Sequence, residues 1–229
     1  MIPLPTKLNI LQKGSKKLAF EIWPLYPGYG VTLGNALRRI LLSSIEGAAI
    51  TKATFKNVPH EFSVIEGMKE DVLDFCLNLK QVRLKIFSDK PQELILKKEG
   101  KGEVKAEDIK TPPEVEIVNK NLHLATLTSP KAKLEVTLEA KKGFGYLRAE
   151  EHQPELAKPG EVYLDAIFTP IVNVAFKSEE IRYKERTDYN KLTMEIESDG
   201  SIAPLDALKE ALEILMKHCE TMKDLLEKS

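Results

Sequence analysis

The sequence predicts an α+β fold, on three observations. Residues alternating between apolar and polar dominate the chain, helical periodicity is confined to three segments, and the two patterns do not alternate as βαβ units would require. Taken from the amino terminus, Leu8 and Ile10 are joined by a Lys13-Gly14-Ser15 turn to Leu18, Phe20 and Ile22, which reads as a hairpin. A first helix is expected from Thr32, as N-cap, to Ser44, and a second over Ile65 to Leu79. Strand triplets follow at Val82, Leu84, Ile86; at Leu134, Val136, Leu138; at Val172, Val174, Phe176; and at Leu192, Met194, Ile196. Gly and Pro clusters such as Glu99-Gly100-Lys101-Gly102 and Thr111-Pro112-Pro113 punctuate them. Pro204 stands where a first helical position would be, opening a third helix that runs nearly to the end.

Composition narrows the function classes. The 229 residues carry 34 Lys plus Arg against 35 Asp plus Glu, so the chain lacks the basic excess with which duplex-binding proteins replace counterions. A hydrophobic content of 42% and a charged content of 30% describe an ordinary globular chain. The amino terminus, with early prolines and no continuous apolar core, does not read as a secretory signal, and no apolar run is long enough to span a bilayer. Cys76 and Cys219 do not suggest a disulfide framework, and a reducing cytoplasm suits them.

The third helix gives the clearest physical signal. Leu205, Leu208, Leu212, Leu215, Cys219, Met222 and Leu226 recur at alternating spacings of three and four, and Ala207, Ala211 and Ile214 widen the stripe into a bundle-like face. Such a helix either packs on its own sheet or associates across a two-fold axis. On a helical wheel of residues 33–44, Leu33, Ala36, Leu37, Ile40, Leu41 and Ser44 gather on one side. Leu42 falls opposite, among Asn35, Arg38 and Arg39, as a solvated face or as a contact patch of Arg around an apolar anchor.

None of the suggestive residues completes a catalytic constellation. His60-Glu61 is not followed by a His at metalloprotease spacing, and the four histidines (60, 123, 152 and 218) are scattered. Gly28-Tyr29-Gly30 and Gly143-Phe144-Gly145 lack the rest of a phosphate loop and read as turns. Ser43-Ser44 lacks a nucleophile elbow, and Glu150-Glu151 and Glu179-Glu180 read as solvated faces. No catalytic residue, metal or cofactor is expected. A hydrolase built on His60 and Glu61 would need a pocket with a metal or nucleophile, and a dimeric adaptor outside transcription would leave the glycine-rich block below unexplained.

That block, Gly28-Tyr29-Gly30-Val31-Thr32-Leu33-Gly34-Asn35-Ala36-Leu37-Arg38-Arg39-Ile40-Leu41-Leu42-Ser43-Ser44, resembles the signature of the bacterial RNA polymerase α-subunit family. Val58-Pro59-His60-Glu61-Phe62-Ser63, Glu66-Gly67, Glu70-Asp71 and Leu77-Asn78-Leu79-Lys80 agree with it. So do Lys142-Gly143-Phe144-Gly145-Tyr146, Arg186-Thr187-Asp188, Lys191-Leu192 and Asp199-Gly200-Ser201-Ile202, in the family's order over nearly the whole chain.

The resemblance implies a discontinuous dimerisation domain, residues 1–46 and 170–229, with two main helices packed on a sheet, and an inserted mostly β domain at 47–169. It implies a homodimer whose interface includes Tyr29, Leu33, Leu37, Ile40, Leu205, Leu208, Leu212, Leu215, Cys219, Met222 and Leu226. Contacts to the polymerase β subunit are implied for Asn35, Arg38, Arg39, Leu42, His60, Glu61, Phe62 and Ser63. Contacts to β′ are implied for Lys80, Leu164, Asp165 and the stretch from Arg182 to Arg186. The implied role is a non-catalytic assembly scaffold of a nucleotidyltransferase complex, cytoplasmic, nucleoid-associated within that complex and without a membrane partner. The family usually continues through a linker into a small domain that touches promoter DNA; this sequence stops at Ser229, so no direct promoter-DNA contact is expected from it.

Overall fold

A computed structural model describes residues 2–56, 58, 60–154, 156 and 158–228; Pro59 of the quoted block and Ser229 lie outside the described residues. Strands β1 (Lys7–Lys13) and β2 (Lys17–Leu25) are followed by helix α1 (Tyr29–Ser43). Next come β3 (Glu46–Phe55), α2 (Val72–Leu79), β4 (Leu84–Ile86), β5 (Gln92–Glu99), β6 (Gly102–Lys105), β7 (Ile109–Lys110) and β8 (Val115–Ile117). They continue with β9 (His123–Leu127), β10 (Lys133–Phe144), β11 (Tyr146–Leu147), α3 (Ala149–His152), β12 (Glu161–Tyr163) and β13 (Ala166–Ile167). The chain closes with β14 (Ile171–Tyr183), β15 (Arg186–Ser198) and α4 (Pro204–Glu227). Contacts divide it into two compact units, Met1–Ile45 with Thr169–Ser229, and Glu46–Phe168.

The first unit is an antiparallel sheet in the order β1-β2-β15-β14 with α1 and α4 on one face. Register explains that face. Leu18, Phe20 and Ile22 stand opposite Ile196, Met194 and Leu192, and Val174 and Phe176 stand opposite the same Ile196 and Met194. Leu37, Leu41, Ala207, Leu208 and Ala211 from the helices close the core over them. The uncovered face carries ion pairs instead, with Lys191 Nζ 2.9 Å from Glu21 and 3.5 Å from Glu179. Alternation misplaces Val172: the register shifts between Ile171 and Asn173, so Ile171 turns into the core and Val172 out to solvent.

Helix α1 starts at Tyr29, three residues before the expected N-cap. Gly28 holds the N-cap position at φ 87°, in the left-handed region that a side chain disfavours. Thr32 is already helical, and its Oγ1 donates to Gly28 O at 3.1 Å. The missing cap comes from the other end of the chain. Asn190, buried on β15, accepts from the N–H groups of Gly28 and Gly30. Gly34 then lets α1 settle on the sheet, since a Cβ there would fall 2.5 Å from the Phe176 ring.

The second unit is built on the antiparallel sheet β12-β3-β10-β5-β7, with three two-stranded ribbons beside it. Helix α2 packs into its core through Val72, Phe75, Cys76 and Leu79. It begins at Val72 rather than Ile65, because Gly67 (φ 80°) breaks the preceding segment and Asp71 caps the helix by accepting from Asp74 N–H at 2.7 Å. Cys76 is buried, which pushes its thiol up to about 12. Both cysteines are free, Cys219 being exposed.

Candidate interaction surfaces

The first surface lies on α1 and α4. Gly30, Gly34, Leu37 and Leu41 are the buried residues of α1, so its true inward axis runs to one side of the stripe read from the wheel. Leu33, Ala36 and Ile40 are left half-buried on the flank, with Tyr29 exposed. Helix α4 behaves similarly. Pro204, Ala207, Leu208 and Ala211 are its buried residues, whereas Leu205 and Leu215 are half-buried. Beyond them the apolar stripe continues in solvent through Leu212, Met216, Cys219, Met222, Leu225 and Leu226, the last 77% exposed. Leu37 and Leu208 are buried in the protomer's own core, Leu37 on the same helix face as Gly34, which approaches Phe176 closely.

Why α4 overhangs is a matter of length. Its 24 residues extend about 36 Å, and the unit's core engages only the amino-terminal part. Removing five Leu or Met side chains (212, 216, 222, 225, 226), 41–77% exposed, from water is worth about 1–2 kcal/mol each, the roughly 1.5–3 kcal/mol of full burial scaled by exposure. A second apolar element is the chemistry that face fits.

Of the residues with an implied β contact, one group lies in each unit. On α1, Asn35, Arg38 and Arg39 are exposed. Leu42 is half-buried and packs against the core, so it is a flank residue and not the apex of the polar face; the inward shift of α1 onto its glycines covers it. In the other unit, residues 60–63 form a turn closed by Ser63 N–H donating to His60 O at 3.1 Å, and Ser63 Oγ lies 3.1 Å from His60 Nδ1. Ser63 O in turn accepts from Val72 N–H at 3.2 Å, which ties the turn to α2. Glu61 is half-buried, while Phe62 is thrust outward, 70% exposed. An exposed aromatic ring is the kind of side chain on which interfaces anchor.

The third set of residues divides on inspection. Lys80 Nζ and Asp165 Oδ2 are 2.8 Å apart, and Asp165 Oδ1 accepts from Ala149 N–H at 2.9 Å. The Lys80 ammonium first, and then the Ala149 N–H, hold the Asp165 carboxyl below the usual aspartate range. Leu164 is only 3% exposed and packs in the core of its unit. In the other unit Arg182 is exposed. Arg186 is exposed too but engaged: its Nε donates to Asp188 Oδ1 at 2.9 Å, and its guanidinium lies over the rings of Tyr26 and Tyr189.

Sequence reasoning missed both the Asn190 cap and the tyrosines around Arg186. Nothing in spacing pairs residue 190 with residue 28. Tyr183 and Tyr189, by contrast, flank the Lys184-Glu185 turn in plain view. Among the described residues there is no group of three or more His, Cys, Asp or Glu that could hold a metal ion, and no helix is long and apolar enough to cross a membrane.

Known proteins resemble the chain along nearly its whole length. A family model described as the RNA polymerase Rpb3/RpoA insert domain matches residues 45–169. The DNA-directed RNA polymerase subunit alpha of Roseiflexus sp. (strain RS-1) is 44% identical over 218 residues, covering 95% of this chain and 67% of the relative. That of Hydrogenobaculum sp. (strain Y04AAS1) is 42% identical over 96% of this chain and 69% of its own length. That of Aquifex aeolicus (strain VF5) is 41% identical over 96% and 70%. The chain thus spans about two thirds of the length of these relatives, and it belongs to the α-subunit family of DNA-directed RNA polymerase.

Proposed function

We propose that the chain is a non-catalytic assembly subunit: it forms a homodimer through α1 and α4, and the dimer carries the β and β′ subunits of the polymerase. The observation that carries this reading is the solvent-exposed apolar half of α4, whose burial against a second copy would offset the roughly 4–15 kcal/mol cost of association. Within the interface, Tyr29, Leu33, Ile40, Leu205, Leu212, Leu215, Cys219, Met222 and Leu226 supply the outward contacts. The Arg38–Arg39 face of α1, with Asn35, and the His60–Ser63 turn led by Phe62, meet β. Lys80, Asp165 and Arg182 meet β′. Two identical chains can take different partners because each partner, once docked, blocks a second copy of itself. Work in the cytoplasm, as part of the nucleoid-bound polymerase, follows from that role.

Reconstitution tests it. The chain, mixed with its cognate large subunits, should yield an assembly that synthesises RNA, while the chain alone yields none. RNA synthesis by the chain alone, or assembly that proceeds equally well without it, would contradict the reading.

A further inference from the structure

Helix α3, a single turn from Ala149 to His152, is held at both ends within its own unit. At its start the Ala149 N–H donates to Asp165 Oδ1 at 2.9 Å. At its end the half-buried His152 ring reaches β3, with Nε2 3.1 Å from the carbonyl oxygen of Thr51. The other ring nitrogen, Nδ1, lies 2.8 Å from the carbonyl oxygen of Arg148. The Tyr163 ring on β12 meets the imidazole at 5.6 Å between centroids, inclined by 66°.

Both contacts ask the ring for a proton. A carbonyl oxygen only accepts, and a neutral imidazole carries one N–H, so either tautomer serves one carbonyl and turns a lone pair on the other. The imidazolium has both N–H groups and satisfies Thr51 and Arg148 together. The charged groups around the ring are otherwise engaged or in solvent. On β12, the Tyr163 hydroxyl donates to Glu161 Oε2 at 3.3 Å. On β3, Lys52 Nζ stands 5.9 Å from the centre of the Tyr163 ring and 3.2 Å from Glu139 on β10. Asp165 is paired with Lys80, and Arg148, Glu150 and Glu151 beside His152 are exposed. Carboxylates, lysine, arginine and tyrosine ordinarily keep one charge state between about pH 6 and 8, whereas histidine changes within that window.

We propose that His152 is a pH-sensitive latch: as an imidazolium it fastens the end of α3 to β3, and on losing its proton it releases that end. The Ala149–Asp165 bond stays, so the turn swings from its start and carries with it the exposed stretch that follows, Gln153, Pro154 and Leu156. The latch is closed on the acid side of the histidine range and opens as pH rises through it. NMR on the full chain tests this at about pH 5.5 and about pH 8. The Overhauser contact between the His152 ring and Thr51 should be present at the lower pH and at least about threefold weaker at the higher one. The Gln153 N–H, which donates to Ala149 O at 2.9 Å, reports the turn itself. Its protection from solvent exchange, corrected for the intrinsic pH dependence of exchange, should fall at least about threefold over the same interval. His152→Gln, which has no charge to lose, should show equal protection at both pH values. A ring contact of equal strength at the two pH values, unchanged protection of Gln153, or the same fall in His152→Gln would overturn the proposal.

Discussion

Asn190 Oδ1 accepts hydrogen bonds from the backbone N–H groups of Gly28 at 2.9 Å and Gly30 at 3.3 Å. A residue on β15 thereby caps a helix that begins some 160 positions earlier, and the two ends of the chain become one folding unit. The same helix carries the Arg38–Arg39 face and the Leu33–Ile40 flank, so the cap also fixes where both surfaces point.

Replacing Asn190 by Ala leaves two N–H groups without that acceptor, the Gly30 one buried and the Gly28 one partly so. We expect a loss of about 1–2 kcal/mol in denaturant unfolding, with Asn190→Asp retaining most of it because the acceptor remains at a helix amino terminus. Equal stability of Asn190→Ala and the unaltered chain would show that water replaces the cap.

Gly34→Ala places a methyl group against the Phe176 ring and Leu192. Overpacking of this kind costs about 1–3 kcal/mol and lifts α1 from the sheet. Thermal unfolding should record the loss, and a Gly34→Ala, Phe176→Leu pair should recover part of it.

Phe62→Ala should leave stability unchanged, because the ring is already in solvent, and should weaken β binding by about tenfold or more. Arg39→Ala should do the same more mildly while the dimer stays intact. Leu42→Asp is a poorer probe than its place on the wheel suggested, since it would also disturb the core. Binding isotherms beside unfolding curves distinguish the two effects.

Asp165 provides a pH-dependent readout. Its folded pKa lies below the unfolded one, so the Lys80–Asp165 pairing stabilises the fold above the unfolded aspartate value and loses that contribution as pH falls through the lower folded value. NMR titration should place Asp165 below an ordinary aspartate, and Lys80→Met should move it up. An unchanged titration in Lys80→Met would assign the depression to the Ala149 N–H and the Tyr146 side chain.

How much of this was legible follows from what each pattern encodes. Strand faces such as Leu192, Met194 and Ile196 were readable because burial on one side of a sheet imposes a period of two. The start of α4 at Pro204 was readable because proline suits a first turn. The true axis of α1 was not, since it is set by two glycines that contribute nothing to an apolar wheel yet permit the closest approach. The inward turn of Ile171, the late start of α2 and the burial of Leu164 likewise depend on a bulge, a left-handed glycine and a tertiary core. Local sequence does not specify these. For the surfaces, residue types along α4 made an apolar stripe legible, but only packing showed that Leu208 is buried in the protomer while Leu226 is left exposed.

The central claim is that two copies join through α4 and α1 and then take up the large subunits. Light scattering on a sizing column, with the chain alone, with Leu226→Asp, and with added β, tests it most directly. The account predicts a dimer for the unaltered chain, one β per two chains on mixing, and a folded monomer for Leu226→Asp, whose side chain is exposed in the protomer. A monomer in every sample, or a dimer that Leu226→Asp leaves untouched, would contradict it.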